Sequence, residues 1–175
     1  MTAAQAGSGF RAVPDADRGA LAAWHQKEGP LLGRGRNHAM HLEAPSDEPG
    51  PPATVDAAAR VLFQGVEGIT LSELGYDIRN GETCDQFGPR LFVTTETEGE
   101  LFVFPCGSGV RVPAPEDPVN WTRVRFTDAD ACCGAWPGFG NVVVRSIDMA
   151  LLFGETHLDN FDVNGVLIGG PGTFS

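Results

Sequence analysis

From residue 37 onward the chain reads with a period of two. NHAMHLEA, AARVLFQGV, ITLSELGYDIR, PRLFVTTET, GELFVFPC, WTRVRFTD, VVVRSIDMALLFG and THLDNFDVNGVLIG follow one another, each rich in branched or aromatic residues. Side chains alternate between the two faces of a strand, so such runs bury one face; a helix would need a period near 3.6. Turn formers punctuate the runs. The chain has 23 Gly and 13 Pro in 175 residues, and PSDEPGPP (45–52) and VPAPEDP (112–118) are loops on composition alone. Strands at short spacing with turn signals predict one all-β domain over residues 37–175, a jelly-roll-like antiparallel β-sandwich of about eight strands. No internal repeat is visible, which argues against a propeller or solenoid.

Residues 1–36 are rich in Ala, Gly and charge and weakly patterned. They read as a loose N-terminal arm, in which DADRGALAAWHQK offers a short helix capped by Asp15 or Asp17. The 23 acidic and 12 basic residues give a formal net charge of -11. Such a surface repels phosphate backbones and anionic membranes, so neither nucleic acid nor a membrane is an expected partner. No apolar run approaches the ~18 residues of a spanning helix. The first 25 residues lack the apolar segment of ~7–15 residues that marks a signal peptide.

The four cysteines are Cys84, Cys106, Cys132 and Cys133. Their spacing does not match the C-x-x-C pairs of zinc ribbons or thioredoxins. A vicinal Cys132–Cys133 bridge would strain the intervening peptide, so Cys84–Cys106 is the expected pair. It would stabilise by roughly 3 kcal/mol in an oxidising compartment, which favours a secreted or extracytoplasmic location.

The closing THLDNFDVNGVLIGG (156–170) holds the densest group of polar side chains inside a strand pattern. Asn164-Gly165 is a type I′ hairpin signal, because both central residues of that turn need positive φ. Alternation then places Phe161, Val163, Val166 and Ile168 on the core face. Asp159 lies two residues before Phe161 and shares its parity, so it is expected inward, where a bare carboxylate is costly. Backbone N–H groups, an ion pair with Arg90 at the mouth of PRLFV, or a calcium ion held with Asn160 would satisfy it. Asn160 and Asp162 take the opposite parity and are expected to be solvated or ligand-facing.

CDQFGPRLFV (84–93), FVFPC (102–106), NWTRVRF (120–126) and LDNFDVNG (158–165), preceded by LSELGYDIRNG (71–81), together resemble a group of bacterial, mainly actinobacterial, β-sandwich proteins of unassigned function. The resemblance covers residues ~37–170 and implies a sandwich with the Cys84–Cys106 bridge. Asp85, Gln86 and Phe87 stand where that group carries a Gly-rich stretch. The closing Asp-Asn is more loosely similar to jelly-roll carbohydrate-binding modules, an analogy of fold.

Trp136 and Phe139 sit in CCGAWPGFG, and aromatics raised on a loop stack sugar rings. Trp121 opens a strand, where core or edge packing is expected. His38 and His41 are three apart on a strand and point to opposite faces, so they do not chelate together. No Ser-His-Asp elbow, phosphate-cradling loop or H-E-x-x-H occurs, and no pair of carboxylates stands out as a glycosidase pair. The expected function is a non-catalytic binding module with carbohydrate as ligand through Trp136, Phe139, Asn160 and Asp162. The alternatives are a structural or surface interaction protein and, third, a glycan-active enzyme.

Overall fold

In a computed structural model, residues 9–16, 19–30, 38–44, 58–85, 88–97, 99–132 and 134–170 are described. The period-two runs become strands: β1 (Arg11–Ala16), β2 (Leu21–Gln26), β3 (His38–Ala44), β4 (Ala59–Gln64), β5 (Thr70–Leu71), β6 (Leu74–Arg79), β7 (Arg90–Thr95), β8 (Leu101–Pro105), β9 (Val110–Pro113), β10 (Trp121–Arg125), β11 (Val142–Leu151), β12 (Gly154–Val163) and β13 (Val166–Ile168). One sheet runs β1-β4-β11-β7-β8 with β5 on β11; the other runs β2-β3-β12-β6-β10-β9 with β13 on β12. All pairings are antiparallel. The two sheets pack face to face as a β-sandwich.

More strands form than the sequence pattern separates. ITLSELGYDIR breaks at Ser72-Glu73, with β5 joining β11 in one sheet and β6 joining β12 in the other. The break is held by the hairpin. Asn164 and Gly165 take φ +57 and +77, the backbone a type I′ turn requires. The Asn164 side chain then accepts from the Ser72 and Glu73 N–H groups (2.7 and 3.3 Å) and donates to the Thr70 carbonyl (2.8 Å).

The core lies between the inner faces and is rich in rings. Phe161 meets Phe63 and Trp24 edge-on at 5.2 and 6.2 Å, while Phe104 meets Phe126 and Trp136 at 5.5 and 5.2 Å. Leu91, Val93, Phe102, Phe104, Phe161, Val163 and Ile168 are buried as the alternation predicts. Val166 is not: next to the hairpin turn, it is 37% exposed.

The N-terminal segment departs from the expected loose arm. Its described residues form no helix and supply one edge strand to each sheet, β1 along β4 and β2 along β3. Trp24 anchors them by inserting against Phe161 and donating from Nε1 to the Ala12 carbonyl (3.2 Å). RAVPDA and LAAWHQ have weak strand propensity, so pairing and this one ring supply what local preference does not. Pro14 fits an edge strand, where a missing ladder donor is tolerated.

Cys84 and Cys106 are disulfide-bonded with Cα atoms 5.0 Å apart. The bridge ties the loop after β6 to the end of β8 and so links the two sheets.

Candidate functional site

The site begins at a bulge in β12. Its register against β6 runs Leu158↔Ile78 and Asp159↔Asp77, then resumes at Asp162↔Gly75 and Val163↔Leu74. Asn160 and Phe161 therefore oppose the single residue Tyr76, a β-bulge. Asn160 adopts φ +44, a region Asn tolerates better than most residues, and its Nδ2 donates to Asp77 Oδ2 at 2.9 Å.

The extra residue inverts the alternation. Leu158, Phe161 and Val163 all belong to the core, so His157, Asp159 and Asp162 project from the outer face of the seven-stranded sheet. Asp159 thus lies on the side opposite to the one its spacing from Phe161 predicts. The outer face is covered here nonetheless: His41, Asp77, His157, Asp159, Asn160 and Asp162 are all buried.

Two polar rows cross the strands. In the first, Asp159, Asp77 and Arg123 are register partners on β12, β6 and β10. Arg123 forks onto Asp77 (Nε–Oδ1 2.9 Å, Nη2–Oδ2 3.1 Å) and reaches Glu116 at 2.8 Å. Among the described residues, Asp159 receives no such cation. Burial drives its pKa up to about 7; a backbone hydrogen bond from Asn160 opposes this, and the charges of Asp77 and Glu116 add to it. Its Oδ1 is buried without a hydrogen-bond partner. The expected Arg90–Asp159 ion pair does not form, because Arg90 opens β7 in the other sheet. The bulge turns Asp159 away from that sheet.

In the second row Arg125 lies across Gly75, where an added Cβ would stand 2.7 Å from Arg125 Cδ. Arg125 Nη2 meets Asp162 Oδ2 at 2.8 Å, and Asp162 Oδ1 accepts from the Gly165 N–H at 2.8 Å. Burial raises the Asp162 pKa, and the opposing pull of Arg125 does not cancel it. Asn160 and Asp162 are therefore engaged inside the protein and not presented to a ligand as their parity predicts.

Beside these rows stands a group of histidines. His41 on β3 and His157 on β12 are register partners, and their rings stack at 4.6 Å and 7°. His25 on β2 tilts against His41 at 4.8 Å. Glu82 holds His157 from below: Oε1 lies 2.6 Å from Nδ1, while Oε2 accepts from the His157 N–H (2.6 Å) and the Thr156 hydroxyl (2.9 Å). The Glu82 contact raises the His157 pKa and burial opposes it. The other ring nitrogen, Nε2, lies 3.2 Å from Glu28 Oε2. His41 Nε2 lies 3.0 Å from Glu155 Oε1. One ligand atom from each of His41, Glu155 and His157 falls within 4.8 Å of the others.

Two imidazoles and a carboxylate are a donor set that suits zinc-like ions. A carboxylate on the far nitrogen of a ligating histidine fixes its tautomer and raises its basicity, which is the relation of Glu82 to His157. The sequence reading missed this cluster. His41 and His157 are 116 positions apart, and only the β3–β12 register makes them neighbours. His38 is not part of the cluster.

The aromatic loop is seated on the sandwich. Trp136 packs edge-on against Phe102, Phe104 and Phe139 at 4.9, 5.2 and 5.3 Å. Its Nε1 donates to Asp128 Oδ1 at 3.0 Å, and the Phe139 N–H donates to the same oxygen at 2.6 Å. Both rings are half-buried. Trp121 is buried in a second small apolar cluster with Ala39 and Ala114.

No protein-family model matches the chain, and no curated protein matches its sequence.

Proposed function

We propose that the protein is a non-catalytic binding module whose ligand is a transition-metal ion of the zinc class, bound on the outer face of the seven-stranded sheet by His41, His157 and Glu155. The observation that carries this reading is the convergence of three ligand atoms within 4.8 Å, on side chains from two adjacent strands. Tetrahedral zinc at about 2.0–2.2 Å from N and O donors needs ligand atoms about 3.3 Å apart. Closing the set requires the two stacked imidazoles to tilt toward a common point together with a new rotamer of Glu155, which is 60% exposed.

An ion that binds the folded state alone stabilises it by mass action, by about 2.7 kcal/mol at a hundredfold excess over Kd. Zinc is therefore expected to raise the melting temperature, and His41→Ala and His157→Ala to abolish the rise. An unchanged melting temperature with zinc, cobalt and nickel would sink the reading. Calcium belongs in the same panel, since Asp159, Asp77 and Glu116 form an oxygen-rich group; Arg123 already supplies a cation to two of its members.

Carbohydrate is the second reading. It is favoured by the half-exposed Trp136 and Phe139 and by the likeness of the closing strand to jelly-roll carbohydrate-binding modules. A glycan array with Trp136→Ala as control tests it. A surface or assembly role without a small ligand is what failure of both would leave.

A further inference from the structure

β2 ends in a turn that brings a fourth carboxylate to the histidines. Lys27 takes φ +66 and redirects the chain after Gln26. Gly29 then packs against the sheet so closely that an added Cβ would lie 2.2 Å from the His38 carbonyl oxygen and 2.9 Å from Asp159 Oδ2. Between these two fixed points, Glu28 has little choice of direction. Its Oε2 sits 3.3 Å from His25 Nδ1 and 3.2 Å from His157 Nε2. Neither approach is aligned as a hydrogen bond, though both lie at ion-pair distance, and this oxygen is sealed from solvent. A carboxylate oxygen buried against two imidazole nitrogens is held by charge when a ring is protonated, and by a bridging cation when both rings are neutral.

We propose that Glu28, which stands outside the group formed by His41, Glu155 and His157, swings in as the fourth ligand of the ion they hold, and that binding of the ion clamps the turn at residues 27–30 onto the sheet. The proposal rests on the metal-binding reading above. Four protein ligands make a closed site, which suits a structural ion and leaves no open position for a reacting water. His25, against the same oxygen, is a positioning residue for Glu28. The consequence for the fold is that the N-terminal strand β2, which among the described residues pairs with β3 alone, gains a second attachment through the ion.

The test is Glu28→Gln in the full chain, which keeps the size of the side chain and removes its charge. Cobalt(II) reports coordination through its visible spectrum, and trypsin reports the turn, because its target bond follows Lys27. In the wild type, zinc should slow cleavage after Lys27, and cobalt should give the intense bands of a four-coordinate site. In Glu28→Gln the affinity should fall about tenfold or more, the cobalt bands should weaken, and zinc should no longer protect Lys27. Glu28→Asp, which keeps the charge on a shorter arm, should lie between. If Glu28→Gln binds with wild-type affinity and spectrum, Glu28 is not a ligand and the three-ligand reading survives alone. If the wild type binds neither ion, both fall.

Discussion

Asp159 and Asp162 stand three positions apart, yet among the described residues only one has a counter-charge. Asp162 meets Arg125, whereas Asp159 faces Asp77 and Glu116. Desolvation raises Asp159 to about 7, against roughly 3.9 for an unfolded aspartate. The folded state therefore holds the proton more tightly than the unfolded one. Stability from this group is full below the unfolded value and is lost as pH rises through about 7, above which a buried charge must be tolerated. Asp159→Asn should accordingly stabilise the fold at pH 8 by on the order of a few kcal/mol, seen as a higher melting temperature, and change little at pH 4. A scan of melting temperature against pH checks this, and a loss of stability at pH 8 would show that the charged form has a partner. Asp162→Ala should destabilise by about 1–3 kcal/mol, because it removes the nearer of the two carboxylates on Arg125 and the acceptor of the Gly165 N–H, leaving Glu73 at 3.7 Å. Had Asp162 been solvent-facing, as its parity implied, the cost would stay within about 0.5 kcal/mol.

At the scale of elements, the regular strands were legible and the exceptions were not. PRLFV and ELFVF show their alternation openly, and Asn164-Gly165 announces its turn. The bulge at Asn160 carries no comparable signal. Asn tolerates positive φ, but LDNFDV also reads as an unbroken strand, and a single inserted residue flips every side chain beyond it. That one inversion placed Asp159, and His157 of the same parity, on the wrong face. β1 and β2 were illegible for a different reason: Ala, Pro and Asp give them little local preference, and their order comes from partners distant in sequence. The bulge can be tested directly. Asn160→Val should destabilise by about 2–3 kcal/mol, combining a β-branched residue at positive φ with the lost bond to Asp77. Asn160→Gly should cost less, since Gly takes φ +44 freely and only the hydrogen bond is lost. Urea titration separates the two, and equal costs would mean that backbone strain plays no part.

Across the whole molecule, the disulfide and the histidine cluster are joined by one short loop. Cys84 lies two residues beyond Glu82, and its partner Cys106 directly follows β8 of the opposite sheet. Glu82 reaches Thr156 and both the backbone and the ring of His157, so the loop that carries it sets the tautomer and the tilt of that ring. Removing the bridge frees the loop at its far end. Cys84→Ala/Cys106→Ala should therefore have two effects. The loss of the cross-link over a 22-residue separation should destabilise the fold by roughly 3 kcal/mol. Zinc affinity should also fall, by about tenfold, because a partner that orients a metal-binding histidine typically contributes that much. Glu82→Gln, which leaves the bridge intact, should reproduce the loss of affinity with a smaller loss of stability. The pair of variants distinguishes a local effect from a global one. If the double variant is destabilised but binds zinc as tightly as the wild type, the contacts of Glu82 with Thr156 and His157 hold the loop without the bridge. If the double variant and Glu82→Gln lose affinity together, the covalent link between the sheets acts on the histidines through Glu82.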